Sequence, residues 1–392
     1  MQLCGIICEF NPFHNGHKYL IEQAKKLTNS NIVCLMSGNF TQRGEPAFQE
    51  KYERAKNAIL CGADVVLELP TIFASSNAEN FAFGSIKTFK ALNTKYLAFG
   101  IENTELEVLQ KIADIKYQNS ISFQNSFKNE IENGINYNTA LKRAIAKELN
   151  QENITEILDK PNNILAIEYL TAIKKLDAKI TPIAINRVDN GYNSNIALNT
   201  YLSASGIREI ILGGGDVSNF IPTETKIDNF FGLKQKQIFD CLAIYQLRNS
   251  EPKELEICYD YNEGIEYRIK KFADLANSLD ELTNLVATPR YRIPRVKKLL
   301  IYPLLGITKQ VELLAKKSKP VSKVLAIKKS CKEFLSLAPK NKIYLITTNK
   351  DYENLPSSCK KIIGIDLTAS NLYNTVIQNQ NNNDKKTGVL FL

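Results

Sequence analysis

Residues 3–17, LCGIICEFNPFHNGH, run from an apolar stretch through a turn into a pair of histidines. The stretch Leu3 to Phe10 is short and carries no charge before Glu9, and it stops at the turn signal Asn11-Pro12, so it reads as a buried strand. From Asn15 the period changes. Tyr19, Leu20, Ala24 and Leu27 recur at helical spacing among lysines. A strand therefore feeds a helix through NPFHNGH, and the only two histidines of the 392-residue chain, His14 and His17, lie in that connection.

Further along, NIVCLMSGN (31–39), DVVLELP (64–70), KYLAFG (95–100) and KITPIAINRV (179–188) read as strands. AFQEKYERAKNAILCGA, NAENFAFGSIKTFKAL, the stretch from about 103 to 175 and SASGIREIILGG (203–214) read as helices. This alternation implies parallel strands joined by right-handed crossovers. At this length two domains are expected. The first, 1–215, is read as an α/β doubly wound parallel sheet of Rossmann-like type. The second, 216–392, is read as α-rich and partly β, helical to about 330, with short β-type runs KIYLITT, KKIIGIDL and TGVLFL after about 340 and a polar loop at 378–383.

Hydrophobic residues make up 44% and charged residues 23%, near globular averages, and no apolar run reaches the roughly 18 residues of a membrane span. The first residues, MQLCGIICEF, carry no basic leader, so a cytoplasmic location without membrane attachment is expected. The eight cysteines are scattered without a C-x-x-C pair, which argues against zinc; Cys4, Cys8 and Cys34 sit in strands as small hydrophobes. Twelve of the Lys and Arg residues, against the single acid Glu312, fall between Arg290 and Lys329, so the net charge of +9 belongs to that segment.

In a doubly wound sheet, ligands bind beyond the carboxyl ends of the strands. A helix N-terminus there, with its free N–H groups and positive dipole end, attracts an anion, and Gly16 lets phosphates approach the backbone. Three residues apart at the helix start, His14 and His17 share a face and can both point at that anion. A metal reading would need a third ligand where only Glu9 is near, and no metal site is expected. A purely structural histidine pair is the other alternative. The glycine patterns of phosphate loops and dinucleotide turns are absent.

The tetrapeptide H-x-G-H after a first strand resembles the signature of the HIGH-type nucleotidyltransferase and class I aminoacyl-tRNA synthetase superfamily. LSASGIREI (202–210) resembles that superfamily's late serine-rich stretch: Ser203 and Ser205 can cap a helix, and Arg208 can reach phosphates. His14, His17, Ser205 and Arg208 are therefore the expected catalytic residues. Over nearly the whole chain, GIICEFNPFHNGHKYLIEQAKK, MSGNFTQRGEPA, CGADVVLELP, AENFAFG, FGIE, KPNNILAIEYL, the run from Asn186 to Arg208, YRIPRVKKLLIYPLLGI and GIDLTASNLY together resemble the bacterial tRNA(Met) cytidine acetate ligases.

That resemblance implies ATP as substrate, acetate and elongator tRNA(Met) as partners, and two steps: formation of acetyl-adenylate, then acetyl transfer to N4 of the wobble cytidine. It places the ATP site on Ile7, Cys8, Glu9, Phe10, Asn11, Pro12, Phe13, His14, Asn15, Gly16, His17, Lys18, Tyr19 and Leu20, on Gly100, on Asn162 or Asn163, and on Arg187. Magnesium could accompany ATP, although no carboxylate cage is visible. Arg43 is a further candidate for acetate or phosphate. Ala204, Gly206 and Thr368 depart from the expected pattern. Arg290, Arg292, Arg295, Lys297 and Lys298, close to Tyr291 and Tyr302, would form the tRNA surface, cations beside rings that can stack on unpaired bases. Two other functions share the H-x-G-H motif: nucleotidyl transfer to a small phosphorylated acceptor, and catalytically silent RNA binding.

Overall fold

The computed structural model describes residues 1–135, 137–151, 154–187, 200–339, 342–379 and 384–392. Strand β1 (Leu3–Cys8) lies at the centre of the sheet, with β2 (Asn31–Ser37) and β3 (Val65–Leu69) on one side and β4 (Tyr96–Ile101) and β5 (Thr181–Asn186) on the other. All five are parallel, in the order β5-β4-β1-β2-β3. The chain reverses its direction of winding between β1 and β4, and the crevice at their carboxyl ends is where such sheets bind ligands. Both the alternation and this placement were expected from the sequence.

Each face of the sheet is apolar because strand residues alternate. On β2, Ile32, Cys34 and Met36 join β1 residues Cys4, Ile6 and Cys8 in one layer, under Ile21 and Ala24 of helix α1 (Asn15–Thr28) and Ala55, Ala58 and Ile59 of helix α2 (Lys51–Leu60). Val33 and Leu35 face the opposite layer, with Leu97, Phe99, Phe81, Ile86 and Phe89. Gly5 allows the closest approach: a Cβ there would lie 2.7 Å from the tip of the Phe89 ring.

Beyond residue 215 the structure departs from the expected outline. The helical unit spans helices between Leu233 and Lys317, built on Phe239, Leu247, Tyr261, Leu282, Val286, Val296 and Leu299. The chain then returns to the first sheet. Strand β6 (Val321–Ile327), absent from the sequence reading, runs antiparallel to β3, and β7 (Tyr344–Ile346) and β8 (Leu390–Phe391) pair with β6. One sheet of eight strands thus draws on both halves of the chain among the described residues.

KKIIGIDL, read as β-type, is helical within Ser357–Val376. Cys359, Ile362, Ile363, Asp366, Ala369, Ser370 and Tyr373 are buried there at helical spacing, a period visible only over a window longer than the eight residues first taken. The expected polar loop at 378–383 lies mostly outside the described residues.

Buried charges fasten this return. Lys51 bonds both carboxylate oxygens of Glu68 and one oxygen of Asp384 at 2.8–2.9 Å, and Lys323 bonds Asp384 at 2.7 Å. The Tyr52 hydroxyl donates to Asp384 at 3.0 Å. Burial alone would discharge these groups, but mutual attraction holds the Asp384 carboxyl well below the usual carboxylate range.

Replacing Gly5 by valine forces a branched side chain into the Phe89 ring and is expected to cost about 1–3 kcal/mol of stability, the usual size of core overpacking. Urea unfolding should show a lower midpoint with an unchanged slope.

Candidate active site

The turn after β1 is held from below by Arg54. Its side chain is fully buried and donates to four backbone carbonyls: Gln49 (2.9 Å), Glu9 (2.5 Å), Ser37 (3.1 Å) and Gly38. It thereby joins the carboxyl ends of β1 and β2. The sequence reading missed Arg54 because a lone arginine inside an amphipathic helix resembles any solvated position. Above it, Phe10 adopts a left-handed backbone (φ 50°), which costs a non-glycine residue roughly 1–3 kcal/mol. Its buried ring meets Phe13 at 4.8 Å and His17 at 4.9 Å, both edge-on. Asn11 accepts from the Phe48 amide through its side chain (2.6 Å) and from Arg208 through its carbonyl (2.7 Å).

His14 and His17 cap α1 reciprocally. Nδ1 of His14 accepts from the Gly16 amide at 3.1 Å, and Nδ1 of His17 accepts from the His14 amide at 3.3 Å. An imidazole that accepts at Nδ1 carries its proton at Nε2 when neutral, so both rings keep one outward donor. The rings stack 3.7 Å apart. Burial pushes the His14 pKa down to about 3, with Arg187 adding to the effect. Burial, then His14 and Arg187, lowers His17 well below its ordinary value. At neutral pH the pair is uncharged.

The expectation of free helix amides is corrected here. The Asn15 amide donates to Phe220, the Gly16 amide to the His14 ring, and those of His17 and Lys18 to the His14 carbonyl. Nothing at the helix start is left over. The imidazole Nε2–H groups and the helix dipole remain to meet an anion.

Ser203 caps the helix Ala204–Leu212 by accepting from Gly206 at 3.2 Å. Ser205 does not cap. Its hydroxyl accepts from Arg208 at 3.2 Å and from Arg43 at 3.4 Å, so two guanidiniums converge on one oxygen. Burial and the neighbouring Arg43 charge lower the Arg208 pKa. Burial raises the Glu9 carboxyl despite the opposing pull of Arg54, Arg43 and Arg208, and Glu9 accepts from the Gln42 amide at 2.7 Å.

On the β4 side, Gly100 makes room for Arg187: a Cβ at Gly100 would lie 3.3 Å from the arginine Cγ. Arg187 is exposed and has no ion-pair partner among the described residues. Asn163 is fully buried with its amide committed to the fold, accepting from the Glu102 amide (2.9 Å) and donating to the carbonyls of Glu102 (2.9 Å) and Ile157 (3.2 Å). Asn162 is half-buried and donates to the Glu102 carboxylate. Of the two asparagines, Asn162 is the one at the surface.

The basic segment is less bare than its charge count implied. Arg295 chelates Asp260 at 2.8 and 3.1 Å, Arg290 pairs with Glu263 at 2.9 Å, and Lys297 pairs with Glu45 at 2.6 Å. Burial lowers the Lys298 pKa. Gly44 in the TQRGEP loop (φ 74°) packs onto this segment, where a Cβ would meet the Lys298 backbone at 2.9 Å. The segment therefore abuts the β2 turn of the site, and of Arg290, Arg292, Arg295, Lys297 and Lys298 the first two are exposed.

A doubly wound parallel sheet with a histidine pair at its first strand-to-helix turn is the frame of a HIGH-type nucleotidyltransferase. The family model described as HIGH Nucleotidyl Transferase matches residues 1–388. Within that class the chain belongs to the tRNA(Met) cytidine acetate ligase family. It is 37% identical over 391 residues to the tRNA(Met) cytidine acetate ligase of Thermoanaerobacter sp. (strain X514), covering 97% of this chain and 96% of that protein. The Acetivibrio thermocellus protein of the same name is 34% identical over 392 residues, with 95% and 94% covered. The crystal structure of apo Thermotoga maritima TmcAL superposes with a TM-score of 0.88 at 26% identity, and that bound with alpha-thio ATP with 0.87 at 25%, each over 100% of both chains. Among the described residues no group of three or more His, Cys, Asp or Glu is placed to hold a metal ion, and no helix is long and apolar enough to cross a membrane.

Because the folded-state pKa values of His14 and His17 lie below the ordinary 6.5, the unfolded chain binds more protons as pH falls through that value. Their contribution thus lowers stability on acidification and vanishes above it. In ligand-free protein, the ring resonances of His14 should keep their neutral-form positions between about pH 8 and 5, a range in which an unperturbed histidine titrates; NMR of ring-labelled protein checks this.

Proposed function

We propose that the protein is an ATP-dependent ligase that acetylates cytidine in tRNA(Met) in the cytoplasm, with His14, His17, Ser205 and Arg208 as its catalytic residues. The observation that carries this reading is the reciprocal histidine cap, which leaves each neutral ring its Nε2–H as a donor, with Arg187 near enough to lower both ring pKa values and Arg43 and Arg208 meeting at Ser205. Such donors and cations suit a triphosphate. Gly100, Asn162 and Arg187 would hold the nucleoside end beside β4 and β5.

In the first step an acetate oxygen attacks the α-phosphorus of ATP, the bond to the β-phosphate oxygen breaks, and pyrophosphate leaves. Charge grows on the leaving group, where the imidazole N–H groups and Arg208 would stabilise it. Neutral imidazoles serve here because each can donate through Nε2–H while its Nδ1 still accepts in the helix cap. In the second step N4 of the wobble cytidine of elongator tRNA(Met) attacks the acetyl carbonyl and loses a proton, and AMP leaves. Arg290 and Arg292 would meet RNA phosphates next to the site.

Acetate should trigger exchange of label between pyrophosphate and ATP, and a phosphomonoester should not. His14→Ala or His17→Ala is expected to reduce the acetate-dependent rate roughly 10²–10³-fold, the usual loss for one electrostatic donor. Exchange driven by a phosphomonoester, or no acetylcytidine in nucleosides from treated elongator tRNA(Met), would overturn the reading.

Reversing Arg290 and Arg292 to glutamate should weaken tRNA binding and reduce the slope of log K against log salt by about 0.7–0.9 for each phosphate no longer neutralised, measured by fluorescence anisotropy. An unchanged slope would place the tRNA elsewhere.

A further inference from the structure

A cavity of about 170 Å³ lies between the turn after β2, the helix Ala204–Leu212 and the helical unit. Its walls include the rings of Phe48, Phe231 and Phe239. Asn11 and Arg208 line one end, so it adjoins the anion site. Lys236 and Lys297 line it as well, together with the carboxylates that pair with them, Asp240 and Asp280 for Lys236, Glu45 and Asp280 for Lys297.

Thr283 supplies an independent sign of a missing partner. The residue is only 2% exposed, and its hydroxyl is one of several with no hydrogen-bond partner among the described residues, the one of them that lines this cavity. A buried hydroxyl without a partner beside a cavity is open to a polar atom placed in that cavity.

The volume is below the roughly 300–1,000 Å³ of pockets that enclose drug-sized ligands, so it suits a single ring and not a whole nucleotide. Aromatic walls stack against an unpaired base, a hydroxyl can serve either a ring carbonyl or a ring amine, and lysines suit the flanking phosphates. An enzyme that does chemistry on a base must first take that base out of its stack.

We propose that this cavity receives the extruded cytosine ring of the acceptor RNA, with the exocyclic amine turned toward the Arg208 end where the adenylate forms. The proposal rests on the function given above. Thr283 contacts the ring edge, and Leu233, 65% exposed on the cavity lining, guards its entrance.

The test uses the full chain, an anticodon stem-loop with pyrrolocytidine at the wobble position, and the variants Leu233→Trp and Thr283→Val. Binding to the wild type should change the pyrrolocytidine emission, and Leu233→Trp should abolish that change. Both variants should lower kcat/KM for acetyl transfer about tenfold, the size of one base-stacking interaction, and change acetate-dependent pyrophosphate exchange by less than about twofold.

Three results would overturn the proposal: stem-loop binding by anisotropy with no change in emission, wild-type transfer by both variants, or equal loss of exchange and transfer, which would give the cavity to ATP or acetate. Absence of acetate-dependent exchange in the wild type would count against the proposed function instead, and the emission experiment would still decide the cavity.

Discussion

The buried guanidinium of Arg54 is the group on which the active-site floor depends. Four carbonyls from the ends of β1, β2 and the start of α2 converge on it. Loops beyond strand ends are usually the freest part of a doubly wound sheet. Here one planar cation with several fixed donors ties two of them to a helix. Phe10 can hold its unfavourable backbone because the residue before it is pinned, and its ring then supports His17 from behind.

In the proposed function the crevice separates two tasks that one charged histidine would have to combine. Attraction at a distance comes from arginines, which stay protonated at any physiological pH. Directionality at close range comes from uncharged imidazoles whose tautomer is set by the helix cap. The same hydrogen bonds that end the helix thus orient the donors, which is why the helix amides themselves are not available for a ligand.

Much of this was legible in the sequence. The period change across NPFHNGH located the first strand and helix, and the isolation of two histidines there marked the candidate site. The five parallel strands followed from alternation alone. What escaped were features made by distant segments. Arg54 looks like an ordinary helix residue until its partners are known. Strand β6 was hidden because Lys323 interrupts its apolar pattern, and that lysine is tolerated only through Asp384, which is 61 residues away. The charge count between Arg290 and Lys329 was correct, yet Asp260, Glu263 and Glu45 neutralise part of it from elsewhere. The cavity beside Arg208 involves residues from Asn11 to Leu300, a combination no local motif displays.

The lock formed by Lys51, Glu68 and Asp384 also imposes a schedule on biosynthesis. Asp384 follows Lys51 by 333 residues, and at roughly 5–20 residues per second the ribosome supplies it tens of seconds later. Until residues 321–327 emerge the outer edge of β3 has no β6, and until Asp384 follows a lysine destined for the interior lacks one of its two acids. The nascent catalytic half must wait in a looser state with an open strand edge, the kind of surface on which chaperones act. Completion of the sheet in this architecture therefore comes late, after the helices between Leu233 and Lys317 have already emerged.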